Sequence, residues 1–256
     1  MSGARAPARA HARGTATRLA RAARIVVHLL EGLATTSLVF PFAARPRRRH
    51  LTRRWSARLL RMAAIECRVD GTLPDDPRNV LVVANHVSWL DIVVLNAVCP
   101  LRFVSKAEVA RWPLAGRLAR GAGTLFIERT RRRDAHRMTS DVSDALAGGD
   151  AVAVFPEGTT TTGVDVLPFK SSLLQAAVDA GAQVLPLALR YRDATGAHTA
   201  AAAYTGGDSF LQSFWRVCGQ ASLVVEVRPL EMLPATARHR RDLAREAEAL
   251  IRSALA

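Results

Sequence analysis

The chain has 256 residues, of which 49% are hydrophobic and 5% aromatic. That balance fits one full globular domain with an appendage and excludes a disordered chain. A formal charge of +14 and a pI near 11.3 would ordinarily point to nucleic acid or an anionic membrane. Distribution narrows the choice: residues 1–62 hold 14 of the 36 basic residues and one of the 22 acids, Glu31, so residues 63–256 set 22 bases against 21 acids and are nearly neutral. Charge gathered beside an apolar segment, without interleaved aromatics, disfavours a nucleic-acid module. Cys67, Cys99 and Cys218 are odd in number and widely spaced, so neither a disulfide framework nor a metal knuckle is expected, and a reducing setting on the cytoplasmic side follows.

In chain order, residues 1–24 are expected to form a basic, disordered tail and residues 25–62 a membrane-associated helical segment. The stretch "RIVVHLLEGLATTSLVFPFA" (24–43) is mostly apolar and lies between Arg18, Arg21 and Arg24 on one side and "RPRRRHLTRR" on the other. An apolar run between two arginine clusters reads as a membrane contact. His28 and Glu31 disfavour an ordinary span, because charge at bilayer depth is costly, and favour a segment that lies in one leaflet or dips into it. A single span and a buried core helix are the alternatives. Removing residues 1–50 is expected to release the protein from membranes.

Beyond the basic segment, short β-branched runs alternate with helical patterns. Strands are predicted over 65–69, 80–84, 101–104, 124–127, 151–155, 184–189 and 223–227, and helices over 88–98, 107–120, 134–147, 171–180 and 238–255. This alternation predicts a single α/β domain over 63–256, with a mixed, largely parallel sheet flanked by helices. Ligands in such folds gather where strands end, so the residues just past each strand carry the functional reading.

The run "VLVVANHVSWLDIVVLNAV" (80–98) is interrupted by Asn85, His86, Ser88 and Asp91. His86 and Asp91 have the makings of a base and its orienting carboxylate. A second His-x4-Asp, His136 to Asp141, lies in a predicted helix, where five residues turn about 140° beyond a full turn and point the two side chains apart. His86 instead sits at a strand end before a helix start, with Ser88 as a candidate N-cap, so the chain can bend the pair together. The plainer readings are a structurally paired histidine for His86 and a solvated helix surface for His136.

"FPEGTTTTG" follows the 151–155 strand. Gly158 permits a tight turn with exposed amides, the threonines add donors, and Glu157 can accept from a substrate hydroxyl; the plainer reading is a polar turn with an incidental acid. "FIERTRRR" supplies Arg129, a candidate clamp for a phosphate or carboxylate, while Arg131 to Arg133 read as solvated or facing headgroups. Lys106 and Lys170, the only lysines, fall beside these motifs. No G-x-S-x-G is present, which excludes the α/β-hydrolase nucleophile turn, and "GAGTLF" lacks the third glycine of a dinucleotide loop.

With these motifs in hand, residues 65–230 resemble the lysophospholipid acyltransferases, the glycerol-phosphate and acylglycerol-phosphate acyltransferases. "NHVSWLD", "GTLFIER", "FPEGTTT" and "VLPLAL" look like the family's four blocks in their order, joined by "VSKAEVARWPLAG" and "LPFKSSLLQAA". The resemblance implies an acyltransferase domain over 63–256 that moves an acyl group from acyl-CoA or acyl-acyl carrier protein to a lysolipid hydroxyl. It implies His86 and Asp91 as the catalytic pair and Arg129, Glu157, Gly158, Thr159 and Lys170 as acceptor-binding residues. Ser88 is then a cap and not a nucleophile, and no cofactor or metal is implied. The expected partners are the lysolipid, the acyl donor and an anionic membrane surface, with no nucleic acid. The expected location is the inner membrane, with the catalytic domain facing the cytoplasm. Many phosphatidate-forming members place an arginine where this chain has Thr160. Lysophosphatidate is nonetheless the favoured acceptor, because Arg129 is kept and because it is the commonest one, with a lyso-ornithine lipid as the alternative.

Overall fold

The computed structural model describes residues 14–112, 114–127 and 132–256. Among these residues eight strands form one sheet: β1 (Ile65–Val69), β2 (Val80–Ala84), β3 (Arg102–Lys106), β4 (Leu125–Ile127), β5 (Ala151–Val154), β6 (Gln183–Arg192), β7 (Leu223–Pro229) and β8 (Leu233–Pro234). Their order is β1-β7-β6-β2-β5-β3-β4, with β8 added to β6. Every adjacent pair is parallel except β6 with β7 and β6 with β8, so the sheet is mixed and largely parallel, as expected.

All five residues of β2, "VLVVA", are buried, because the strand lies between β5 and β6 and is covered on both faces. Its side chains alternate between two cores. Val80, Val82 and Ala84 face Ile25, Leu59, Leu60, Leu90 and Val94, whereas Leu81 and Val83 face Val142, Leu146, Leu174, Leu243 and Ile251. The first layer is supplied by α1 (Thr15–Ala34), α2 (Arg45–Met62) and α3 (Leu90–Val98), the second by α5 (Arg132–Ala147), α6 (Leu174–Asp179) and α8 (Arg240–Leu255).

Three departures from the expected elements have local causes. The helix predicted over 107–120 is a 3-10 turn, Ala107–Arg111, followed by α4 (Ala115–Gly121); Trp112 between them is extended at φ −68° and ψ 130°, the conformation that a following proline imposes. A further helix, α7 (Phe210–Cys218), was not predicted, although Ser209 and Gln212 form a reciprocal capping box in front of it. The two-residue β8 is too short to leave a periodic signal.

Helix α1 corrects the expected boundary after residue 24, since it begins at Thr15 and continues through a π turn and a 3-10 turn to Phe42. Tertiary contacts fix its first half: the Arg21 guanidinium donates to the carbonyls of Cys218 at 3.0 Å and Gln220 at 2.7 Å, and Ile25 is buried in the core. His28 is also buried, facing two acceptors, the Glu31 carboxylate at 3.0 Å from Nδ1 and the Trp55 carbonyl at 2.9 Å from Nε2, and its ring is stacked on that of Trp55. Several arginines of α2 are likewise engaged within the protein. Arg45, Arg49 and Arg53, four apart on one face, donate to the carbonyls of Gly149, Pro100 and Val98, tying α2 to the sheet and to α3.

The opposite side of α1 presents Leu19, Val26, Val27 and Leu30 to the exterior, followed by Leu38 (71% exposed) and Phe42 (90% exposed). By length and composition the Thr15–Phe42 helix is apolar enough to cross a membrane, yet its inner side carries Arg21 and His28 and packs on the domain. Polar residues inward and apolar residues outward is the reverse of a surface helix in water, and the outer stripe fits a lipid interface.

Candidate active site

At the end of β2, Asn85 extends the ladder with its side chain: its amide donates to the Leu189 carbonyl at 2.9 Å and accepts from the Leu189 N–H at 2.8 Å. The chain then bends into α3, and the bend is organised around Asp91. Oδ2 of Asp91 accepts from the backbone N–H groups of Val87 (2.7 Å) and Ser88 (2.9 Å) and from Nδ1 of His86 (2.8 Å). Oδ1 accepts from the Tyr191 hydroxyl at 2.7 Å. The N-cap of α3 is Trp89, one residue past the expected Ser88, whose buried hydroxyl accepts from the Leu90 N–H at 3.3 Å in the turn ahead of the helix.

Asp91 is fully buried, and a buried carboxylate is tolerated only when its lone pairs are occupied by donors, as they are here. As an acceptor it requires that Nδ1 of His86 carry the ring proton, which leaves Nε2 with a free lone pair. The His86 ring lies flat on Phe155, centroids 3.9 Å apart and planes 9° apart, and 19% of its side chain is exposed. A histidine fixed in tautomer and orientation, with one nitrogen open, can act as a general base.

The loop after β5 is bound to the same bend. Glu157 is buried; Oε1 accepts from the His86 N–H at 2.6 Å and Oε2 from the Leu167 N–H at 2.9 Å. Burial raises its pKa, and the two backbone donors partly offset that rise. With each oxygen held by one backbone amide, Glu157 joins two loops. Gly158 adopts φ +72°, a left-handed turn that favours glycine, and its N–H closes onto the Phe155 carbonyl at 3.0 Å. Thr159 is exposed at the tip, and the Thr160 hydroxyl donates to the Tyr204 carbonyl. The Thr161 N–H donates to the His86 carbonyl at 2.8 Å, completing the join between the two motifs. Lys170 has an exposed side chain, while its backbone N–H donates to the Pro156 carbonyl at 3.0 Å.

Arg129 and Arg131 lie outside the described residues, as does the side chain of His136, whereas Asp141 is exposed on α5. Lys106 ends β3, and its side chain is exposed. Among the described residues no group of three or more His, Cys, Asp or Glu is placed to hold a metal ion. Two parts of the site escaped the sequence reading, Tyr191 and Phe155. Tyr191 continues the alternation of Leu187 and Leu189 on β6 and reads as one more core residue, and Phe155 reads as the end of a strand.

A buried carboxylate that orients a partly exposed histidine at the end of a parallel strand, beside a glycine turn, is an arrangement suited to general-base chemistry on a hydroxyl. Comparisons with known proteins agree with that class. Residues 64–190 match the model of a family described as Acyltransferase. A lyso-ornithine lipid O-acyltransferase from Pseudomonas aeruginosa is 42% identical over 210 residues, 82% of this chain and 80% of that protein. A 1-acyl-sn-glycerol-3-phosphate acyltransferase from Neisseria gonorrhoeae is 45% identical over 155 residues, 60% of each chain. The crystal structure of the 1-acyl-sn-glycerophosphate (LPA) acyltransferase PlsC from Thermotoga maritima shares the fold, with a TM-score of 0.64 and 21% identity over 92% of this chain and 96% of that one. This chain belongs to the Acyltransferase family.

Proposed function

We propose that this protein transfers an acyl group from a thioester donor, acyl-CoA or acyl-acyl carrier protein, to the free hydroxyl of a lysolipid. Nε2 of His86 takes the hydroxyl proton as the acceptor oxygen attacks the thioester carbonyl. Asp91 stabilises the imidazolium so formed, and collapse of the tetrahedral intermediate expels a thiolate that recovers the proton. The scheme needs no acyl-enzyme, cofactor or metal, because the thioester is already activated. The observation that carries it is the 2.8 Å contact between His86 and a fully buried Asp91.

The acceptor we favour is a lyso-ornithine lipid. Thr160 is short, neutral and engaged with the Tyr204 carbonyl, and among the described residues 157–163 there is no basic side chain to meet a phosphate monoester. The 42% identity of the Pseudomonas relative extends over most of both chains, which supports the same acceptor. Lysophosphatidate is the second reading, favoured by the 45% identity of the Neisseria relative and by the exposed Lys170. Labelled acyl donor offered to both lysolipids side by side tests the choice. Label is expected in the ornithine lipid at more than ten times the rate of phosphatidate, and the reverse preference overturns the assignment.

We place the catalytic domain on the cytoplasmic face of the inner membrane, docked through the outer stripe of α1 and through Phe42, where lysolipid substrates reside. The exposed Arg47, Arg54 and Arg61 of α2 add attraction for anionic headgroups. Deleting residues 1–50 is a poor test of this, since it removes Ile25 from the core along with the lipid-facing residues. The double substitution Leu30→Asp and Phe42→Asp changes only exposed positions. It is expected to move most of the protein from washed membranes to the soluble fraction without lowering the melting temperature, and unchanged pelleting sinks the docking face.

A further inference from the structure

We propose that Tyr191 is a positioning residue for the transfer reaction: its hydroxyl holds Oδ1 of Asp91 so that Oδ2 stays aligned on His86 and the basicity of the imidazole is set by that bond. The inference rests on the general-base reading of His86, and it concerns a residue to which neither motif nor composition gives a role.

The geometry is specific. Tyr191 lies on β6 with its side chain buried and its hydroxyl 2.7 Å from Oδ1, while Oδ2 receives His86, Val87 and Ser88. The carboxylate plane is therefore pinned at both ends, and rotation about the side chain would break bonds on each. Burial, followed by the charge of Asp91, raises the Tyr191 pKa well above its ordinary value, so the phenol stays protonated and remains a donor wherever the enzyme works. A donor on Oδ1 withdraws charge from the carboxylate and moderates its pull on the imidazolium. Removing that donor leaves a more basic carboxylate and hence a more basic histidine. Among the described residues, the other titratable groups acting on this cluster are Glu157, from the loop after β5, and Cys67 on β1, whose thiol burial pushes to about 11. Neither is altered in the comparisons below.

Tyr191→Phe deletes the hydroxyl and keeps the ring. The acid limb of kcat/KM against pH is expected to move upward by about half a unit to one unit, corresponding to a three- to tenfold change in proton affinity, with activity partly recovered at high pH. A residue that only fills space would lower the rate equally at every pH, and a limb within 0.2 unit of wild type overturns the proposal. The His86 ring titration followed by NMR, assigned with His86→Ala, reports the same shift without turnover. A shifted ring titration without His86-dependent transfer would therefore refute the general-base reading and leave the Tyr191 contact standing.

If Tyr191→Phe does not fold, fluorotyrosine provides the second arm. The chain has only two tyrosines, Tyr191 and Tyr204. On a Tyr204→Phe background, 3-fluorotyrosine labels Tyr191 alone with a stronger donor of nearly the same volume. Relative to the unfluorinated protein of that background, both the acid limb and the ring titration are expected to move downward. No movement, or movement upward, rejects the role.

Discussion

Asp91→Asn is expected to lower acyl transfer by roughly 10³- to 10⁴-fold with little loss of stability. The amide can keep an oxygen facing the N–H groups of Val87 and Ser88, and its NH2 can donate to the Tyr191 oxygen, so the turn into α3 survives. What disappears is the negative charge opposite the ring. His86 then loses the stabilisation of its protonated form and with it much of its strength as a base. Asp91→Ala is less informative. It leaves two buried backbone donors and a buried phenol without an acceptor, at roughly 1–3 kcal/mol each, and loss of activity would then follow from a disturbed fold. Single-turnover rates at saturating acceptor, together with a thermal melt, separate the two. An Asn variant that keeps more than about a tenth of the wild-type rate would contradict the orienting role.

His86→Ala should be at least as damaging, with transfer falling to the limit of detection for either lysolipid. Proton transfer by a positioned base contributes roughly 10²- to 10⁴-fold, and alanine also leaves a gap over Phe155 that water can enter. The fold should tolerate the change, because the backbone on either side is held by bonds that do not involve the ring: Glu157 to the His86 N–H, and the His86 carbonyl to Thr161. Near-wild-type turnover by this variant would remove the mechanism altogether. A drop confined to the acceptor KM, with kcat intact, would reassign His86 from proton transfer to binding.

Some of this was legible in the chain because it depends on neighbours in sequence. The strands 65–69 and 80–84 coincide with β1 and β2, and for β2 the reason is an unbroken apolar run, which fixes a central parallel strand with little help from its surroundings. The His86–Asp91 pair was legible for a similar reason. It spans five positions across a strand end and a capped helix start, and local geometry brings the two side chains together. The second His-x4-Asp was set aside on the same local grounds.

Tertiary structure decided whatever depends on distant partners. Glu157 meets His86 71 positions away, and Tyr191 meets Asp91 100 positions away, so neither role leaves a periodic or spacing signal. The arginine-rich N-terminal segment shows the same division. Its composition announced an affinity for anionic surfaces, but Arg21, Arg45, Arg49 and Arg53 instead donate to backbone carbonyls of the folded domain. Which side of a helix faces inward is set by the surface it packs on. The sequence therefore determined the alternation of strands and helices, the His86–Asp91 pair and the presence of an apolar basic segment. Only packing settled which charges became internal ties, which side of α1 was left open, and what holds the carboxylate that holds the histidine.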